Sequence, residues 1–253
     1  MKANSADRIQ PLLVIFATLG TIIFNGLAAS GYVNDVSPAE VSARYETIVT
    51  PAGYAFSIWS LIYAGLTAFS IYQLFSRSLA PLRAVRSVYI LSCVLNCAWI
   101  YFWHHDQIAI CLVLIVGLLA TIGYINAKLP KEGTTAYALL VRAPFGIYLG
   151  WLSAASLVNL AILFRHWNID LDEGETILGV GLILTASALG IFYRVWLANF
   201  FAPLAIAWAL TAIAVKQSGR TAIVTAAAFG VIACLIAALS FIMNLKGTND
   251  ERV

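Results

Sequence analysis

Three sets of residues recur at helical spacing and combine flat aromatic rings with hydrogen-bonding groups. Phe56, Trp59 and Tyr63 stand at i, i+3 and i+7, which places them on one helix face. Ser92, Asn96, Trp99 and Trp103 follow at i, i+4, i+7 and i+11. Pro144, Tyr148, Trp151, Ala155 and Asn159 obey the same rule. Aromatic walls with a few placed amides are the make-up of a pocket for a flat apolar ligand. Plain core packing produces the same spacing, and spacing alone does not separate the two. Amides inside hydrocarbon turn toward a bundle or cavity rather than lipid, so Asn96 and Asn159 orient their stripes inward. Headgroup anchoring accounts for Trp103 and Trp167, but not for Trp151, well inside its apolar run. The candidate ligand-binding set is Phe56, Trp59, Tyr63, Asn96, Trp99, Trp151, Ala155 and Asn159.

Other chemistry is weaker. Asp170, Asp172, Glu173 and Glu175 lack a metal-ligand spacing and read as a solvated acidic loop. An exposed turn explains His104-His105-Asp106 at least as well as a metal site does, since His166 is remote in sequence. Cys93, Cys97, Cys111 and Cys234 all sit in apolar runs and form no CxxC, so they read as packing residues. Gly179-Val180-Gly181 lacks the third glycine of a dinucleotide loop. No P-loop, GxSxG, HExxH or general acid–base constellation is present. No catalytic residue, metal or cofactor is therefore assigned.

The elements that must carry these stripes are membrane helices. The 253 residues are 61% hydrophobic and 11% charged, with mean hydropathy +0.87. That is too little charge to coat a water-facing surface, so a soluble enzyme is excluded and the lipid bilayer is the expected partner. A net charge of +3 without a run of like charges excludes a nucleic-acid partner. Eight stretches are long and apolar enough to span, near 11–30, 52–75, 86–103, 108–127, 140–164, 176–193, 196–215 and 221–245. With both termini cytoplasmic, 11 of the 15 basic residues fall inside and eight of the 12 acids outside. One outer loop breaks the rule, carrying both Lys216 and Arg220.

Ser37, Pro38 and Glu40 supply an N-cap, a first-turn proline and an N3 acid, a capping box. They predict a short helix over about 38–46, either a connector or a lid over a cavity. In the last three spans, Ala186/Gly190, Ala226/Gly230 and Gly230/Cys234 allow close helix approach, within the chain or between copies. No internal repeat of the transporter kind is evident, and no motif assigns a role to residues 176–253.

The segment from Pro51 to Tyr63, PAGYAFSIWSLIY, resembles the signature opening the second helix of the TspO/MBR family, the tryptophan-rich sensory proteins. Leu95-Asn96-Cys97-Ala98-Trp99, with Phe102 after it, is similar to that family's third helix, and Trp151 with Asn159 to its fifth. The motifs cover about residues 10–165. Tyr54 stands where the family usually has tryptophan, and Ser57 replaces a Gly-Pro pair. The resemblance implies an all-α, five-helix bundle, often a homodimer, that binds a hydrophobic small molecule such as a tetrapyrrole beneath its first loop. It identifies Trp59, Asn96, Trp99, Trp151 and Asn159 as pocket residues. The expected architecture is thus two units. Residues 1–165 form a TspO-like bundle with a lid loop at 31–51, and residues 166–253 add three transmembrane helices and a short cytoplasmic tail. The expected function is sensory or regulatory ligand binding in the bacterial inner membrane. The competing classes are a small-molecule transporter, which needs ionisable groups at mid-membrane, and a porphyrin-modifying enzyme.

Overall fold

The computed structural model describes residues 5–75, 80–169 and 174–247. Asp170, Asp172 and Glu173 of the acidic loop lie outside the described residues, as do Lys2, Arg77 and most of the C-terminal tail. Every regular element described is helical. α1 (Ser5–Ala29) ends in a turn where Gly31, Asn34 and Asp35 take positive φ, a conformation these residue types tolerate. α2 (Pro38–Arg44) starts as its capping box predicts: Ser37 N–H donates to Glu40 Oε2 at 2.7 Å, and Glu40 N–H to Ser37 Oγ at 3.3 Å. The bond from the Ser37 N–H, with the Ser37 side chain beside it, holds the Glu40 carboxyl below the usual carboxylate range.

A 3₁₀ turn (Gly53–Ser57) leads into α3 (Ile58–Phe75). α4 (Ala80–His104) and α5 (Ile108–Lys128) are joined by a three-residue turn, closed by Asp106 at φ 56°. α6 (Thr135–Tyr137) runs through a π-turn (Ala138–Arg142) into α7 (Ala143–His166). α8 (Gly174–Trp196), α9 (Phe201–Lys216) and α10 (Thr221–Gly247) complete the chain.

Seven helices among the described residues are long and apolar enough to cross a membrane. α9 is apolar but only 16 residues long. The sequence placed the break before it at Arg194, whereas α8 runs on to Trp196 and the break falls at 197–200. The cause is local. Asn199 Oδ1 accepts from the N–H groups of Phe201 and Ala202 at 2.9 and 3.4 Å, and Pro203 fits the first turn.

α7 is the axis of the molecule: 67% of its most apolar window is buried, against 28% for α1. It packs on α3 and α5 on one side and on α8 and α9 on the other. Gly146 and Gly150 make the second contact. A Cβ on Gly146 would overlap the Asn199 side chain, and one on Gly150 the carbonyl oxygen of Ala202. The small residues of α8 and α10 are likewise consumed inside the chain: a Cβ at Gly190 would sit 2.9 Å from Cys234 Sγ, and one at Gly230 would overlap Ser187 Oγ. Of the two uses open to these spacings, the structure takes internal packing.

Buried polar groups tie the helices. Asn25 Nδ2 donates to Asn96 Oδ1 at 2.7 Å, and Asn96 Nδ2 to Tyr148 Oη at 3.0 Å, a relay linking α1, α4 and α7. Arg142 donates to the backbone carbonyls of Pro130, Lys131, Leu197 and Ala198, so it joins the loop before α6 to the loop before α9. The last two bonds hold Ala198 at φ 49°, a left-handed conformation unusual for alanine.

Candidate ligand-binding site

α3 contributes Trp59 to an aromatic cluster that α7 completes. Trp59 meets Trp151 edge-on at 6.2 Å between centroids and Tyr148 at 5.7 Å. Phe56, from the 3₁₀ turn, meets the Trp151 ring at 6.1 Å. The close approach of the two helices depends on Gly65, where a Cβ would lie 2.9 Å from Pro144. From α4, Trp99 and Trp103 stack at 5.2 Å with planes 19° apart. Of these rings, Phe56, Trp59, Trp99, Trp103 and Trp151 line a cavity of about 40 Å³.

Six of the eight candidates line this cavity: Phe56, Trp59, Trp99, Trp151, Ala155 and Asn159. Tyr63 does not. It stacks under Trp59 at 5.4 Å and lines a neighbouring groove between α1 and α3. Asn96 lines neither and is spent on the relay to Asn25 and Tyr148. Both lie on the faces that periodicity predicts, but one helical turn farther from the lid than the ligand-facing rings.

Trp103, expected in the headgroup belt, is 2% exposed, lines the cavity and donates from Nε1 to Pro38 O at 3.1 Å. Its place on the Asn96 stripe was the signal for this. Ala209 and Ile213 of α9 also line the cavity. Nothing in the sequence pointed to them, because α9 is apolar on every side and carries no amide or stripe.

Three polar atoms of the cavity residues are buried without a hydrogen-bond partner among the described residues: Trp99 Nε1, Trp151 Nε1 and Asn159 Oδ1. Two donors and one acceptor are thus left unpaired within residues of a mostly apolar wall. Phe56 separates this cavity from two others. One is the α1/α3 groove, about 470 Å³, bounded also by Trp59 and Tyr63. The other is a vestibule of about 90 Å³ under α2, bounded by Ser42, Glu46, Pro51 and Lys216.

The lid segment is tied down on several sides. Arg44 pairs with Asp106 at 3.1 Å, and Tyr45 Oη donates to the same carboxylate at 3.2 Å. Burial and that carboxylate push the Tyr45 hydroxyl pKa up. Asn34 Nδ2 donates to His104 O at 2.7 Å. The His104-His105-Asp106 turn therefore anchors the connection between α1 and α3. His104 is fully buried rather than exposed, because its ring N–H reaches back to Ile100 O at 2.7 Å. Among the described residues no group of three or more His, Cys, Asp or Glu comes together.

α9 holds the lid from the other side. Ala52 N–H donates to Ala212 O at 3.0 Å, and Trp208 Nε1 to Ala55 O at 3.1 Å. Gln217 Nε2 donates to the carbonyls of Thr47 and Thr50 at 3.1 and 3.2 Å.

A family model described as TSPO-like protein matches residues 11–241. The match extends past the residues that carry the sequence motifs and takes in α8, α9 and nearly all of α10. No curated protein and no solved structure matches the chain at significance.

Proposed function

Because the chain belongs to the TSPO-like protein family, a family of membrane ligand-binding and sensory proteins, we propose that it senses a flat hydrophobic ligand of the tetrapyrrole kind, held in the aromatic cavity. One observation carries the reading: Trp99, Trp151 and Asn159 line one cavity, and Trp99 Nε1, Trp151 Nε1 and Asn159 Oδ1 have no hydrogen-bond partner among the described residues. Buried polar groups are nearly always paired, and a ligand that brings both acceptor and donor atoms into the cavity supplies the missing partners. Drug-sized ligands occupy roughly 300–1,000 Å³. The cavity alone is far below that range, and the groove across Phe56 is within it. Binding in this reading turns the Phe56 ring aside and merges the two spaces.

The same reading takes α9 as an eighth span in the bacterial inner membrane, with both termini cytoplasmic. Sixteen residues reach about 24 Å, short of a hydrocarbon core near 30 Å. Local thinning and a snorkelling Lys216 at its end make up such a mismatch at modest cost.

Titration of the detergent-purified protein with protoporphyrin IX, followed by tryptophan fluorescence, tests the proposal. Saturable quenching is expected. Trp151→Phe keeps the ring and removes the donor, so it weakens affinity about fivefold, and Asn159→Leu acts similarly. Unchanged affinity in both variants overturns the site. The porphyrin absorbance under light separates binding from chemical conversion.

A further inference from the structure

The loop that broke the charge rule points to a second subsite. Lys216 and Arg220 each face a carboxylate: Lys216 Nζ lies 3.2 Å from Glu46, and Arg220 lies 3.7 Å from Glu175. The two pairs differ in place. Lys216 and Glu46 line the vestibule under α2, and Lys216 is the one cation lining it among the described residues. Phe56, Ser42 and Pro51 bound both this vestibule and the aromatic cavity, so the two are separated only by side chains.

We infer that the vestibule receives the carboxylate end of an otherwise apolar ligand, with Lys216 exchanging Glu46 for the ligand's carboxylate. This rests on the ligand-binding reading above and adds the ligand's charge to it. Lys216 is the partner that stays. It ends α9, where a cation is favoured by the helix dipole. The next residue, Gln217, fastens that helix end to the Thr47 and Thr50 carbonyls. Glu46 is the partner that leaves. Its side chain is 60% exposed and belongs to no helix, so it turns to water at little cost. Half-exposed pairs are weak, which makes the exchange cheap and salt-sensitive. A ligand whose ring passes Phe56 into the cavity leaves an acidic substituent at this mouth. The α8–α10 segment then supplies ligand specificity as well as packing.

The test compares protoporphyrin IX with its dimethyl ester, in which both carboxylates are capped as neutral methyl esters, on the full-length protein at low salt. The acid is expected to bind about fivefold tighter than the ester. Lys216→Met brings the acid to the ester's affinity, Lys216→Arg preserves the preference, and Glu46→Gln strengthens acid binding by removing the competitor. Ester binding in each variant reports that the cavity is intact. Equal affinities of acid and ester in the unmodified protein, or an equal loss of both in Lys216→Met, overturn the inference and leave the ligand-binding reading standing. Failure of both porphyrins to bind the unmodified protein overturns that reading and this inference together.

Discussion

Two kinds of polar side chain sit within the same aromatic stripes and do different work. Asn159 lines the cavity and its amide oxygen is buried without a partner among the described residues, whereas Asn96 is bonded on both sides, to Asn25 and Tyr148. The sequence placed both on inward faces correctly, because an amide in hydrocarbon turns away from lipid. It did not separate ligand from partner, since that depends on which neighbour stands opposite. Asn96→Leu is expected to cost about 1–2 kcal/mol in stability by orphaning Asn25 and Tyr148. Denaturation in mixed micelles measures that loss, and porphyrin affinity in the surviving folded protein stays near that of the parent. Trp151→Phe leaves the Asn25–Asn96–Tyr148 relay intact and should lower affinity instead, with any stability loss coming from the smaller ring in a buried site. The pair of variants therefore separates a positioning amide from a ligand-facing indole.

Helix contacts divide into those that tolerate a methyl group and those that do not. A Cβ added to Gly26 of α1 would meet nothing within 4 Å, while Gly150 of α7 sits against the Ala202 backbone of α9. Backbone cannot rotate aside as a side chain does, so Gly150→Ala pushes α7 and α9 apart at about 1–3 kcal/mol. Gly26→Ala is expected to be neutral. Comparing the thermal unfolding of the two purified variants checks this. Helix existence was legible from hydropathy, and the start of α2 from its capping box, because both signals are local. The start of α9 was missed although Asn199 and Pro203 announce it, since an unbroken apolar run masks an end signalled by hydrogen bonds alone.

At the scale of the molecule, the long apolar helices and the shorter α9 are one packing unit joined through α7. The stretch 47–55, which leads from α2 into α3, is bonded to α9 and its C-terminal end through Ala52, Ala55, Thr47 and Thr50. A chain ending at residue 169 loses these bonds, loses Ala209 and Ile213 from the cavity wall, and bares the α8/α9-facing side of α7. It is expected to lose saturable porphyrin binding, and co-expression of residues 170–253 as a separate chain to restore it. Size-exclusion profiles and titration of the two preparations measure this, and full binding by the truncated chain alone would sink the idea that α9 completes the site. The sequence by itself determined the membrane class, the inward faces of α3, α4 and α7 and the capped lid helix, because hydropathy, periodicity and capping are written in neighbouring residues. Only the tertiary structure decided that Trp103 turns into the cavity, that Phe56 stands between three spaces, and that α9 walls the site and holds its lid. Those outcomes depend on how helices distant in sequence rotate and press together, and an evenly apolar helix such as α9 carries no one-dimensional record of which side it will present.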